Sequence, residues 1–136
     1  QKYGYGEFKI LKNLKNVELY HFAKKCPYFC KNYPVEKIKE EIKQAVEFIK
    51  NKIFVKDFDL IVLDEILVCV REKVLDIDDL INLIKLKPAS TELVFTGQVN
   101  KTIIDKLKPY VDYISEIKKI KHPYDEGVKR RKGAEF

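Results

Sequence analysis

Two carboxylates close the run DLIVLDE (59–65), in which consecutive apolar residues lead straight into Asp64 and Glu65. Acids in that place form the Walker B arrangement of nucleotide-binding α/β proteins. The first can hold Mg²⁺, directly or through water, and the second can polarise a water or order the site. The bland alternatives are a solvated strand end, or Glu65 capping the next element of the chain. A second apolar run, ELVFTG (92–97), ends on Thr96 and Gly97. Walker B normally accompanies G-x-x-x-x-G-K-[ST], whose backbone N–H groups cradle phosphate oxygens. Nothing in the sequence fits that pattern, since the glycines are Gly4, Gly6, Gly97, Gly127 and Gly133.

Three further groups could do chemistry. Phe22, Tyr28, Phe29 and Tyr33 crowd a short stretch and could line a flat apolar ligand, or could simply be core. His21, Cys26 and Cys30 lack the C-x₂-C spacing and the fourth ligand of a soft-metal site, so unpaired thiols in a loop are the expectation. The tail KHPYDEGVKRRKGAEF (121–136) carries VKRRK, which fits either a nucleic-acid patch or a solvated charge run. Its interleaved Gly127 and Gly133 ask for a specific backbone shape.

The elements that must position these residues follow from periodicity. GEFKILKNL (6–14) reads as a short helix and VELYHF (17–22) as a strand; KKCPYFCKNYP (24–34), with two prolines, reads as a loop. Val35, Ile38, Ile42, Ala45, Val46, Ile49 and Ile53 form the stripe of an amphipathic helix opened by Pro34. The LIVL run predicts a strand buried on both faces, as in a parallel sheet. In DIDDLINLIKLKP, Asp76 is the N-cap, Ile77, Leu80, Ile81 and Ile84 face inward, and Pro88 ends the helix. ELVFTG is the next strand, NKTIIDKLKP (100–109) a helix and DYISEI (112–117) a last strand. Strands alternating with helices imply right-handed βαβ crossovers and a parallel, helix-covered sheet. Ligands of such sheets bind beyond the carboxyl ends of the strands, which is where Asp64, Glu65, Thr96 and Gly97 fall.

Composition narrows the class. The 136 residues suit one domain, and 46% apolar content supports a packed core despite 35% charged residues. A net charge of +6 favours polyanionic partners without choosing among nucleotides, nucleic acid and acidic proteins. No apolar run approaches the ~18 residues of a membrane span, no secretory signal opens the chain, and the three cysteines suit a reducing compartment; the expected setting is cytoplasmic. The sequence contains no Met and opens on Gln1, so the natural polypeptide is expected to begin upstream.

Taken in order, DLIVLDE, VLDIDDLINLIKLKP, ELVFTG and VDYISEIKKIKHPYDEGVKRRKGAEF resemble the cob(I)alamin adenosyltransferase family. In that family a strand ending LDE, a strand ending LTGR, a segment like ADLVTEM and a terminal KHPF-x-x-G-[IV]-K-A-x-K-G-I-E-F follow at similar spacing. YGEFKIL resembles its GE-x-x-x-L segment, so the likeness covers essentially the whole chain. The resemblance implies an α/β fold of P-loop NTPase (RecA-like) type, here lacking its first strand and phosphate loop. It also implies transfer of the 5′-deoxyadenosyl group of ATP to cob(I)alamin with release of tripolyphosphate.

By the same resemblance Asp64 is the Mg²⁺ carboxylate and Glu65 its catalytic neighbour. Thr96, Gly97, Gln98, Lys121, His122 and Lys129 belong to the ATP site, and Phe22, Tyr28, Phe29 and Tyr33 to the corrinoid face. The family's aromatic pair excludes the lower axial ligand of cobalt; CPYFCK does not reproduce its F-T-W pattern. Gln98 replaces the Arg of LTGR, and Leu67 replaces a polar residue after DEI. A homodimer and a flavoprotein reductant are implied partners. The alternatives are a corrinoid-binding domain without an ATP site and a basic nucleic-acid-binding domain.

Overall fold

A computed structural model describes residues 6–22 and 34–129. The chain divides into two compact units, one of Gln1–His21 with Ser115–Phe136, the other of Phe22–Ile114.

The larger unit is built on two parallel strands, β1 (Leu60–Leu63) and β2 (Glu92–Phe95), in the register Leu60↔Glu92 to Leu63↔Phe95. Parallel neighbours require a long crossover, and here it contains two helices, α3 (Ile66–Arg71) and α4 (Ile77–Leu86). The unit is therefore α/β with a parallel sheet, as the strand–helix alternation predicts. Ahead of β1 runs α2 (Val35–Phe48), which continues as a π-helical turn over Ile49–Ile53; after β2 comes α5 (Lys101–Leu107).

Both predicted helix stripes are the core-facing ones. From α2 and its continuation Ile38, Ile42, Ala45, Val46, Ile49 and Ile53 are buried, while Val35, at the first turn, is exposed. From α4 Leu80, Ile81 and Leu83 are buried, with Ile77 and Ile84 packed against them. Leu83 widens the stripe beyond the four residues that periodicity picks out. Local chemistry fixes the helix starts: Asp76 Oδ1 accepts the Asp78 N–H at 3.0 Å, and Asn100 Oδ1 accepts the Ile103 N–H at 3.1 Å.

Three sequence expectations are corrected. LIVL is not buried on both faces, because Leu60 and Val62 are 55% and 51% exposed while Ile61 is buried and Leu63 packs on the core. Val94, the register partner of Val62, is exposed as well, so one side of this two-stranded sheet is covered and the other is not. Neither VELYHF (17–22) nor DYISEI (112–117) is a strand. Both have β-forming composition, but a strand exists only through its ladder, and neither pairs with another segment among the described residues.

The smaller unit holds α1 (Gly6–Leu11) and a 3₁₀ turn, Pro123–Glu126. His122 Nδ1 accepts the Tyr124 N–H at 3.1 Å and so caps that turn, which Gly127 closes at φ 80°, the left-handed geometry its glycine favours.

Leu80 and Leu83 have no exposed surface, so truncation at either leaves a cavity. Leu80→Ala should lower stability by about 2–5 kcal/mol, measured as a fall in the urea midpoint with an unchanged slope.

Candidate active site

Asp64 and Glu65 follow β1 directly, and Thr96 and Gly97 follow β2, so parallel pairing brings the two strand ends together. Thr96 joins them through all of its polar atoms. Its N–H donates to the Leu63 carbonyl at 3.3 Å, extending the ladder by one rung, and its carbonyl accepts the Leu67 N–H at 3.1 Å. Its hydroxyl donates to Asp64 Oδ1 at 2.6 Å and accepts the Glu65 N–H at 2.8 Å.

Glu65 needs that support, because it sits at φ 58°, ψ 15°. The left-handed conformation costs a non-glycine residue roughly 1–2 kcal/mol, and each hydrogen bond returns about 1 kcal/mol. The turn reverses the chain into α3, whose first residue is Ile66. Glu65 does not cap α3 with its side chain; its backbone carbonyl accepts the Val68 N–H at 3.1 Å instead. Both acids are left exposed.

Gly97 lies against the start of α3. Its φ is 134°, and a Cβ there would stand 3.0 Å from both Leu67 Cβ and the Val68 nitrogen. The glycine thus permits β2 and α3 to approach closely enough for the Thr96–Leu67 bond. Gln98, next along, accepts a bond from Arg71 Nη1 at 3.2 Å, while Arg71 Nε pairs with Glu72 at 2.8 Å. A guanidinium therefore stands beside the position where the LTGR motif would carry its own arginine.

The donor set suits a hard cation shared with a nucleotide. Mg²⁺ is usually bound by one or two carboxylates together with phosphates and waters. Asp64 supplies an exposed carboxylate whose Oδ1 is tied to Thr96 and whose Oδ2 has no hydrogen-bond partner among the described residues. Among those residues no group of three His, Cys, Asp or Glu side chains forms a closed metal cage.

Phe22 packs on Phe48, ring centroids 5.3 Å apart, within the larger unit. Tyr28, Phe29, Tyr33, Cys26 and Cys30 lie outside the described residues. In the smaller unit Lys121 pairs with Glu126 at 2.9 Å, His122 caps its turn, and Lys129 is exposed. Two features were missed from the sequence: the short helix α3, and Arg71 at its end reaching Gln98. ILVCVR after the acids carried the helical signal, but its continuous apolar run hides any stripe.

A model of the family described as ATP:corrinoid adenosyltransferase BtuR/CobO/CobP matches residues 1–136. The chain belongs to this family. A corrinoid adenosyltransferase from a Sinorhizobium species is 30% identical over 102 residues, covering 74% of this chain and 43% of that relative. The corrinoid adenosyltransferase CobA of Salmonella typhimurium is 29% identical over 79 residues, 57% of this chain and 38% of its own length. A corrinoid adenosyltransferase of Pseudomonas aeruginosa is 31% identical over 81 residues, 59% of this chain and 38% of that protein. The chain spans less than half the length of the curated relatives it matches. Among the described residues no helix is long and apolar enough to cross a membrane.

Gly97→Ala forces both an unfavourable φ and a backbone contact. It should destabilise the fold by about 1–3 kcal/mol, read from chemical denaturation, with the Glu65 and Leu67 amides losing protection in hydrogen exchange.

Proposed function

We propose that the full protein to which this chain belongs transfers the 5′-deoxyadenosyl group of ATP to the cobalt of cob(I)alamin or a related corrinoid. The observation that carries this is the family match over residues 1–136, together with an exposed Asp64 held beside the ends of two parallel strands. Cobalt(I) is the nucleophile: its electron pair forms the Co–C5′ bond, the C5′–O bond breaks, and tripolyphosphate leaves with that bond's electrons. The product serves adenosylcobalamin synthesis or salvage.

Each residue type has a physical task. Asp64 would hold Mg²⁺, and Glu65 would order the adjoining phosphate site. Bound Mg²⁺ would supply charge neutralisation for the departing tripolyphosphate. Thr96, Gly97 and Gln98 are assigned to the ATP site at the end of β2, where Arg71, itself paired with Glu72, donates to Gln98. Lys121, His122 and Lys129 are assigned to the nucleotide by the likeness of the tail to the family's terminal motif. Lys121 spends its charge on an exposed pair with Glu126. Such pairs are worth little, so exchanging that carboxylate for a phosphate costs little.

Phe22, Tyr28, Phe29 and Tyr33 form the corrinoid face, where apolar rings would exclude the lower axial ligand and ease reduction of cobalt. The fold is of P-loop NTPase type, its phosphate loop supplied from outside residues 1–136, and the chain is one adenosyltransferase-like domain of a cytoplasmic homodimer. The electron reaching cobalt comes from a flavoprotein reductant.

The decisive experiment mixes full-length protein with chemically reduced cobalamin and Mg·ATP. A light-sensitive Co–C bond should appear in the corrinoid spectrum, and its absence overturns the proposal. Asp64→Asn should reduce kcat/KM for ATP by at least about tenfold, the scale of a lost interaction with a charged group, while leaving corrinoid affinity within about twofold. Equal loss of both would show that Asp64 has no metal role.

A further inference from the structure

We infer that Thr96 is a positioning residue, acting on metal-bound nucleotide through Asp64 and not by touching the nucleotide itself. The inference rests on the adenosyltransferase function proposed above only in taking Asp64 as the Mg²⁺ carboxylate.

The bonding of the Thr96 side chain carries it. A hydroxyl has one proton to donate, and here that proton is directed to Asp64 Oδ1 at 2.6 Å. The same oxygen accepts the Glu65 N–H at 2.8 Å. The donor capacity is therefore spent, and none is left for a phosphate oxygen. What the hydroxyl does achieve is orientation. Tying Oδ1 removes the free rotation of the carboxylate and leaves Oδ2 as its only oxygen without a protein partner among the described residues. Tying the Glu65 N–H holds the left-handed turn at φ 58°, and with it the direction in which the second acid leaves the chain.

The backbone makes Thr96 a rigid anchor for this task. Its N–H and carbonyl are both engaged, to Leu63 at 3.3 Å and from Leu67 at 3.1 Å. A β-branched side chain also has few χ1 choices. The hydroxyl is thus delivered to a fixed point between the two acids, as supporting groups around metal ligands commonly are.

Thr96→Val keeps the shape and removes the hydroxyl; Thr96→Ser keeps the hydroxyl and removes the methyl. Mn²⁺, which accepts the same oxygen donors as Mg²⁺, is titrated into full-length protein with ATP and followed by electron paramagnetic resonance. Thr96→Val should weaken Mn²⁺·ATP binding by about tenfold, the scale of a charge-assisted hydrogen bond, and Thr96→Ser should restore it to within about threefold. In an Asp64→Asn background, Thr96→Val should cost less than about twofold more, because the group it orients is already gone. Thermal melts of each variant identify any that fail to fold, and Thr96→Ser with the Asp64→Asn pair keeps the test open if Thr96→Val is one of them.

Wild-type affinity in Thr96→Val overturns the inference. So does an equal loss with and without Asp64, which would mean direct contact with the nucleotide, and so does failure of the wild type to bind Mn²⁺·ATP. Binding that follows the expected pattern without adenosyl transfer would overturn the function proposed above and leave this inference standing.

Discussion

Glu65 occupies a backbone conformation that most side chains avoid, at φ 58°, and the surrounding structure is arranged so that it can stay there. The Thr96 hydroxyl holds its amide, and the Thr96 carbonyl holds the amide of Leu67 two residues on. Through these bonds the end of β2 dictates how the chain leaves β1. Without the turn, Asp64 and Glu65 would continue along the strand and their side chains would point to opposite faces. With it, the chain bends into α3 and both acids remain exposed at the strand end.

The turn also depends on close approach. Gly97 stands where any Cβ would meet Leu67 and the backbone of Val68 at 3.0 Å. The absence of a Cβ lets β2 approach the start of α3 closely enough for the Leu67 N–H to reach the Thr96 carbonyl. The helix is also held by the core, since Val70 is buried and Ile66, Leu67 and Cys69 pack on the same cluster. Burial of apolar side chains therefore provides the rigidity, and a few polar bonds at the rim convert it into a defined orientation of carboxylates. In the adenosyl transfer proposed above, that orientation would serve positioning and charge stabilisation.

Much of this was legible in the residues themselves. The stripe of α2, the Asp76 cap of α4 and the short helix after Asn100 follow from periodicity and capping chemistry, which are local. That Gly127 needs a special backbone shape was legible too, and the structure gives it as a positive φ of 80°. VELYHF and DYISEI illustrate the opposite case: their composition favours strands, but pairing is a property of neighbours and not of the segment. LIVL shows the same limit in burial, with Leu60 and Val62 exposed although nothing in the run separates them from Ile61.

For the site the division falls similarly. The sequence by itself determined that two acids follow an apolar strand, that a Thr-Gly pair follows another, and that their order with the tail matches one family. Residue identity and spacing survive in any conformation, so they could be read without a fold. Only the tertiary structure decided that Thr96 meets both Asp64 and Glu65 across 32 and 31 positions of sequence, and that Arg71 reaches Gln98 across 27. Those partnerships arise because parallel pairing and a buried helix bring distant chain segments within hydrogen-bond reach, and no local propensity encodes such a distance.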